Sequence, residues 1–383
     1  MDWQVPLADL DYGQEEETAI LKVLRSKWLT MGAVTQEFED QFRVMVGTKH
    51  AFAVSNATEA LHLACVALGI GPGDEVITPS LSFVATSNAV LYTGADVQFA
   101  DVISEDDLTI DPEDIARKVT PRTKAIIVMH YGGYPCKMRD ILSVAERYNL
   151  PVIEDAAHAP GASFEGKSLG TWGTVGCFSF FSNKNLSTGE GGMLITDRDD
   201  LAEKFRLLRS HGMTTLTYDR HKGHAYSYDV VELGYNYRID EIRSALGLEQ
   251  LKKLIVNNSR RKNLTERYWQ ALAGIGVGLP FRGKNGSPSY HIFPILLPTE
   301  IDRKAFIDCL REERIQTSIH YPPTHKFSYY QSRYGKIPLP KTEDISQREV
   351  TLPLYPDMSL EKCDIVIDGV FRAIDKLKNA KLG

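Results

Sequence analysis

Between about residues 50 and 200 short apolar runs alternate with stretches of helical periodicity. His50 to Val54, Glu75 to Thr78, Asp96 to Ala100, Lys124 to Met129, Pro151 to Glu154 and Gly192 to Thr196 have the length and character of buried strands. Between several of them, stretches such as Glu59 to Leu68 and Ile141 to Tyr148 place apolar residues three and four apart, as one face of a helix does. This alternation predicts an α/β domain built on a mainly parallel sheet. Farther on, Arg238 to Leu254 predicts a longer helix, and the polar run Asn257-Asn-Ser-Arg-Arg-Lys262 marks where the large domain gives way. The remainder predicts a strand at His291 to Leu297, a helix near Asp302 to Glu313, a strand at Thr317 to Tyr321 and a last helix from about Leu360 to Leu377. The expected division is a large domain over residues 1–255, with an N-terminal arm at 1–25, and a smaller α+β domain over 256–383. A chain of 383 residues exceeds what one core usually supports.

Composition narrows the function classes. Hydrophobic residues make up 43%, charged residues 25%, and the net charge is −6. That balance offers no general attraction for nucleic acid or an anionic membrane, so a phosphate-bearing ligand needs a local site. No apolar run approaches the roughly 20 residues that span a bilayer, and the N-terminus lacks the pattern of a signal peptide. A cytoplasmic protein is expected. Five scattered cysteines, without a Cys-x-x-Cys pair, fit neither a disulfide framework nor a zinc site.

Three motifs mimic chemistry that their context rejects. Gly161-Ala-Ser-Phe-Glu-Gly-Lys167-Ser168 matches the phosphate-cradling P-loop pattern, but no helix follows it, so Glu165-Gly166 is expected to turn a hairpin. Gly69-Ile-Gly71-Pro-Gly73 follows a helix and precedes a strand, the reverse of a dinucleotide loop. His221 with His224 and His320 with His325 lack further ligands at metal-binding spacing, and no metal is expected.

A different group of residues points to one chemistry. Lys184 lies among aromatics, hydroxyls and glycines in Gly176-Cys-Phe-Ser-Phe-Phe-Ser-Asn-Lys-Asn-Leu-Ser-Thr-Gly-Glu-Gly-Gly192. A lysine amine becomes nucleophilic when burial or positive charge lowers its pKa, and its characteristic use is a Schiff base with a carbonyl compound. Asp155 and His158 follow the apolar run ending at Ile153, where ligands collect beyond strand ends in an open sheet. A carboxylate there either caps a helix or protonates a pyridine ring so that the ring acts as an electron sink. Ser55-Asn-Ala-Thr58 opens a helix after a strand, so its amides and hydroxyl form an anion site or a simple cap. Ser179 is a second hydroxyl, and Phe83 a ring at another strand end that either stacks on a flat cofactor or joins the core.

Ser55-Asn-Ala-Thr-Glu-Ala-Leu61, Thr78-Pro-Ser-Leu-Ser-Phe-Val-Ala-Thr86, Glu154-Asp-Ala-Ala-His-Ala159, the Lys184 segment and Leu233-Gly-Tyr-Asn-Tyr-Arg-Ile-Asp240 together resemble the signatures of the DegT/DnrJ/StrS sugar aminotransferases. The resemblance runs from about Trp28 to Asp357. It implies a fold type I pyridoxal phosphate-dependent transferase with a mainly parallel seven-stranded sheet. It implies that Lys184 forms the Schiff base, Asp155 pairs with the pyridinium nitrogen and His158 sits near the phenolic oxygen. Phe83 would stack on the ring, and the Ala57 amide, Thr58 and Ser179 would hold the phosphate. Ala57 departs from the usual glycine at its position. Asn236 matches a position that reaches the phosphate from a neighbouring subunit, so a homodimer with shared active sites is expected.

The implied reaction moves an amino group from L-glutamate, or glutamine, to a nucleotide-linked 3- or 4-keto-6-deoxy sugar. Trp28, Thr30, Glu190, His320, Tyr321 and His325 are candidates to line the substrate site. A cyclitol ketone remains open as acceptor. Related dehydratases typically carry histidine in place of the lysine, and a non-catalytic relative would have lost Lys184, Asp155 or the phosphate donors; all are present here.

Overall fold

The computed structural model describes residues 3–215 and 227–379. A seven-stranded sheet lies at its centre, in the order His50–Val54, Gly192–Thr196, Val175–Ser179, Val152–Asp155, Thr123–Met129, Glu75–Pro79, Asp96–Ala100. Gly192–Thr196 runs antiparallel to both neighbours, and the remaining pairings are parallel. The six strands expected from apolar runs are all present, with ends shifted by a residue at most.

The seventh, Val175–Ser179, escaped the sequence reading although it sits mid-sheet. Gly176 and Ser179 interrupt its apolar run. A Cβ at Gly176 would come within 2.1 Å of the Gly170 carbonyl oxygen, so the loop crossing this strand leaves room for glycine alone. Helices cover both faces. Ala57–Ala67 and Asp199–Leu208 bury Leu61, Leu63, Cys65, Phe205 and Leu208 against one face. Phe38 and Phe42, from Ala33–Val46, pack with Phe178 and Phe180 on the other; the Phe42 and Phe178 ring centroids are 5.0 Å apart.

Helix Glu241–Ala271 runs unbroken for 31 residues. It passes straight through the polar run expected to mark a domain boundary, and Asn257, Asn258 and Arg261 are buried there. Asn258 and Arg261 are polar because they bind buried backbone. Asn258 donates to the Pro160 carbonyl at 2.9 Å, and Arg261 donates to the carbonyls of His291 and Leu354. Past this helix, Phe293–Leu296 pairs antiparallel with Glu349–Leu352, and helices Arg303–Glu312 and Leu360–Asn379 pack on the pair around Phe306, Leu310, Val366 and Val370. The strand expected at Thr317 to Tyr321 makes one bridge, Ser318 to Thr351; two residues on, the His320 N–H donates instead to the Glu349 carboxylate at 2.8 Å.

Ser163–Phe164 and Lys167–Ser168 form the hairpin expected in place of a P-loop. Glu165 and Gly166, at φ 48° and 76°, make the turn between them. His221 and His224 lie outside the described residues. Among the described residues no helix is long and apolar enough to cross a membrane, and no cluster of His, Cys, Asp and Glu could hold a metal ion.

Candidate active site

The carboxyl ends of the parallel strands open on one edge of the sheet, where the chain leaves each strand for a loop or helix. A cavity of about 770 Å³ lies there. Its walls come from segments far apart in sequence: Ser55 to Glu59, Phe83, Asp155 to His158, Ser179 to Glu190, Tyr237, Arg243 and His320 with Tyr321. Such a volume suits a cofactor together with a small substrate.

Lys184 projects into this cavity from the loop between Val175–Ser179 and Gly192–Thr196. The loop closes on itself through Phe180 N–H to Gly191 O and Thr188 N–H to Phe180 O, each 2.8 Å. It is anchored below by Asn185, whose amide donates to Asn258 Oδ1 and to the Ser289 carbonyl, both at 2.7 Å. Desolvation penalises the ammonium form of Lys184 and brings its pKa down to about 8, with the charge of Asp155 pulling the other way. Slightly above neutral pH a far larger fraction of this amine is therefore neutral and nucleophilic than for a solvated lysine.

Asp155 ends its strand at 4% exposure. Burial raises its pKa, while a 2.7 Å hydrogen bond from Thr86 Oγ1, the Ala157 amide at 3.2 Å and the charges of Lys184 and His130 favour the carboxylate. His158 is fully enclosed and held neutral by burial beside Lys184 and His320. Its Nδ1 accepts from the Gly132 amide, so the proton sits on Nε2 and is donated to Tyr321 Oη at 2.9 Å. That arrangement leaves the Tyr321 hydroxyl proton free to bond a ligand.

Helix Ala57–Ala67 points its N-terminus at the cavity. Asn56 caps it by accepting from Glu59 N–H at 2.9 Å. The amides of Ala57 and Thr58 precede the first intrahelical bond, so no helical carbonyl can reach them. With the Thr58 and Ser179 hydroxyls they form a cluster of donors suited to an anion. Gly192 permits this placement: a Cβ there would lie 2.6 to 2.7 Å from the backbone of Asn56 and Ala57. Glu59, inside the cluster, accepts from the Ser55 hydroxyl, and burial raises its pKa.

Of the residues singled out in the sequence, Ala57, Thr58, Phe83, Asp155, His158, Ser179, Lys184, Glu190, His320 and Tyr321 line the cavity. The other four do not. Trp28 and Thr30 lie beside the start of helix Ala33–Val46, where Thr30 bridges Asp240. Asn236 is exposed and bridges Ser210. His325 is 2% exposed and turns away to bond Ser80 Oγ at 2.6 Å, because its loop packs over the end of strand Glu75–Pro79. Sequence reasoning missed Thr86, Asn185, Tyr237 and Arg243. Thr86 and Asn185 stand inside segments already singled out, and Arg243 stands one helical turn past Asp240; none carries a signal that separates it from a capping or surface residue.

The family model for the DegT/DnrJ/EryC1/StrS aminotransferases matches residues 11–371. The chain is 41% identical over 366 residues to the spore coat polysaccharide biosynthesis protein SpsC of Bacillus subtilis, covering 94% of each. Among solved structures it superposes on Helicobacter pylori PseC, an aminotransferase involved in the biosynthesis of pseudoaminic acid, with a TM-score of 0.91, at 29% identity and over 97% and 99% of the two chains. NtdA from Bacillus subtilis, solved with bound cofactor PMP, gives a TM-score of 0.87 at 33% identity over 98% of this chain and 86% of that one. The chain belongs to the DegT/DnrJ/EryC1/StrS aminotransferase family: it is a sugar aminotransferase of fold type I, and its cofactor is pyridoxal phosphate.

Proposed function

We propose that this family member transfers the amino group of L-glutamate to the keto group of a nucleotide-linked sugar, with a 3- or 4-keto-6-deoxy sugar as the preferred acceptor. The observation that carries the reading is the convergence, in one cavity, of an amine with a lowered pKa, a buried carboxylate and a helix N-terminus with free donors. These fit the parts of pyridoxal phosphate: Lys184 for its aldehyde, Asp155 for its ring nitrogen, Phe83 for the ring face, His158 for the side of the phenolic oxygen. The Ala57 and Thr58 amides and the Thr58 and Ser179 hydroxyls would take its phosphate. The methyl of Ala57 leaves its amide free for that bond.

When bound, the cofactor supplies a carbonyl for amine exchange and a ring that accepts the electron pair left behind as a C–H bond breaks. The remaining work belongs to the chain. Lys184 Nζ, displaced by the incoming amine, takes the α-proton of the donor; in the second half of the cycle it returns a proton to the carbon that receives the amino group. Asp155, whose carboxylate form is favoured by Thr86 and Ala157 against the effect of burial, would hold the proton of the ring nitrogen. Glu190, His320 and Tyr321 line the part of the cavity left for the acceptor.

The active unit in this reading is a homodimer. Asn236 misses the cavity of its own chain, and Tyr228, Val230, Val231 and Leu233 around it are exposed, Leu233 at 85%. A second copy laid over these apolar side chains would carry Asn236 to the phosphate donors of its neighbour. We also propose that residues 256–383 act as the smaller domain, with helix Glu241–Ala271 shared between the two.

Formation of 2-oxoglutarate from L-glutamate across a panel of keto sugar nucleotides tests the function. Turnover of a 3- or 4-keto-6-deoxy sugar nucleotide supports it. Turnover confined to cyclitol ketones would overturn the substrate assignment.

A further inference from the structure

His320 lines the cavity, and behind it lies a directed chain of hydrogen bonds that its own position in the sequence gives no reason to expect. His320 Nδ1 is 2.8 Å from Thr351 Oγ1, and Thr351 Oγ1 is 2.5 Å from Glu349 Oε1. The other carboxylate oxygen, Oε2, accepts the His320 backbone N–H at 2.8 Å. His320 and both partners are buried, at 8% exposure or less. Hydrogen-bond inventory sets the direction of the chain. A charged Glu349 can only accept, so Thr351 must spend its proton on it. Thr351 then offers His320 only a lone pair, Nδ1 must carry the imidazole proton, and Nε2 is bare. No hydrogen bond to Nε2 is found among the described residues.

A neutral Glu349 reverses both side-chain bonds. Its carboxyl proton goes to Thr351, the Thr351 hydroxyl proton turns to Nδ1, and Nε2 carries the imidazole proton. The ring stays where it is, because the backbone bond to Oε2 survives in both states. Glu349 is poised for this exchange: burial raises its pKa to about 8, against the opposing pull of Thr351, the His320 amide and the Arg303 charge. His320 itself remains neutral throughout, since burial and the Lys184 charge depress its pKa to about 3. The other titratable groups near the pair are Tyr131 and Tyr321, both held protonated by burial, and the neutral histidines His158 and His291.

We infer that Glu349 and Thr351 are positioning residues that set whether His320 Nε2 donates or accepts a hydrogen bond at the substrate face of the cavity. The chemistry of the acceptor gives that switch a use. A ketone oxygen can only accept, whereas the ammonium group that replaces it can only donate, so one ring that presents either sense serves both ends of the reaction. This use rests on the proposed function; the hydrogen-bond switch itself does not.

The test combines imidazole ¹⁵N shifts of the histidine-labelled holoenzyme, with the His320 signals assigned by their loss in His320→Gln, and kinetics of each half-reaction. In the unsubstituted protein the protonated nitrogen of His320 should pass from Nε2 to Nδ1 as pH rises through about 8. Glu349→Gln, whose amide donates to Thr351 and whose carbonyl still accepts from the His320 N–H, should lock the proton on Nε2 at every pH. Its KM for the keto sugar should lose its pH dependence, with the glutamate half-reaction unchanged. Thr351→Ser should keep the switch and Thr351→Val should abolish it, a pair that separates relay from packing. A His320 tautomer indifferent to pH and to Glu349→Gln, in protein that still transaminates keto sugars, overturns the inference. A switching tautomer in protein that aminates no keto sugar overturns the functional reading and leaves the relay standing.

Discussion

Lys184 shows how far a single residue depends on its surroundings. Removing its amine in Lys184→Ala deletes both the cofactor anchor and the proton carrier. Turnover should drop by at least about 10² to 10⁴-fold, the usual worth of positioned acid–base transfer, and the visible cofactor band should disappear. Retained full activity in a single-turnover assay would remove Lys184 from the mechanism. The lowered pKa gives a second prediction, and its sign is fixed by burial. The amine is neutral above its pKa, so the rate at which cofactor-free protein takes up pyridoxal phosphate should rise with pH, pass half its maximum near pH 8 and level off about one unit higher. A rate still climbing toward the ordinary lysine value of 10.5 would mean that the amine is solvated. At this scale the sequence picked out residues that the fold brings to one cavity. Lys184, Asp155, Ser179 and Thr58 announce themselves because lysine, carboxylate and hydroxyl at strand ends are costly unless used. His325 and Trp28 did not keep their places, because nothing in one dimension tells which way a ring turns.

Elements hold these residues at their distances, and glycine fixes how closely. Gly192→Ala sets a methyl within 2.7 Å of the Ala57 amide nitrogen, so the start of helix Ala57–Ala67 must move. Affinity for pyridoxal phosphate should fall while the fold persists, read as a higher cofactor Kd in titration with an unchanged circular dichroism spectrum. Gly166→Ala is the control. Its φ of 76° makes it about 1 kcal/mol less stable, yet the hairpin turn is remote from the donors and cofactor affinity should not change. Asn258→Leu strands the Asn185 amide proton and the Pro160 carbonyl in a buried place, a loss of about 1 to 3 kcal/mol. Urea denaturation should show it as a lower midpoint with an unchanged slope. Strands rich in apolar residues were legible, since runs such as Lys124 to Met129 have no other stable use. Val175–Ser179 was not, because its glycine answers to a loop that crosses it from above. The polar run at 257–262 is a related case: polarity along a chain signals solvent or buried backbone partners, and only packing separates the two.

At the scale of the whole molecule the site is assembled from one edge of the sheet and, in the proposed dimer, from two chains. Asn236→Ala should lower cofactor affinity by roughly tenfold, the worth of one charge-assisted hydrogen bond. If Asn236 serves the opposite subunit, refolding a mixture of Lys184→Ala and Asn236→Ala proteins yields heterodimers with one intact site. At pyridoxal phosphate concentrations too low to load the Asn236→Ala parent, activity should then exceed that of either parent in a coupled 2-oxoglutarate assay. An additive result, with no gain on mixing, would place Asn236 outside the site.

The amino-acid sequence by itself determined which groups can react and which runs must be buried, because nucleophilicity, charge and apolar area belong to residue types and to their spacing. It also carried the family, through motifs whose order survives without any coordinates. Tertiary structure alone decided the rest: that a central strand passes beneath a loop, that Asn257, Asn258 and Arg261 join what looked like a boundary, that His325 faces Ser80, and that Glu349 and Thr351 stand behind His320. Each of these depends on direction and close approach between segments up to hundreds of residues apart. Such distances are set by packing, which no local pattern along the chain encodes.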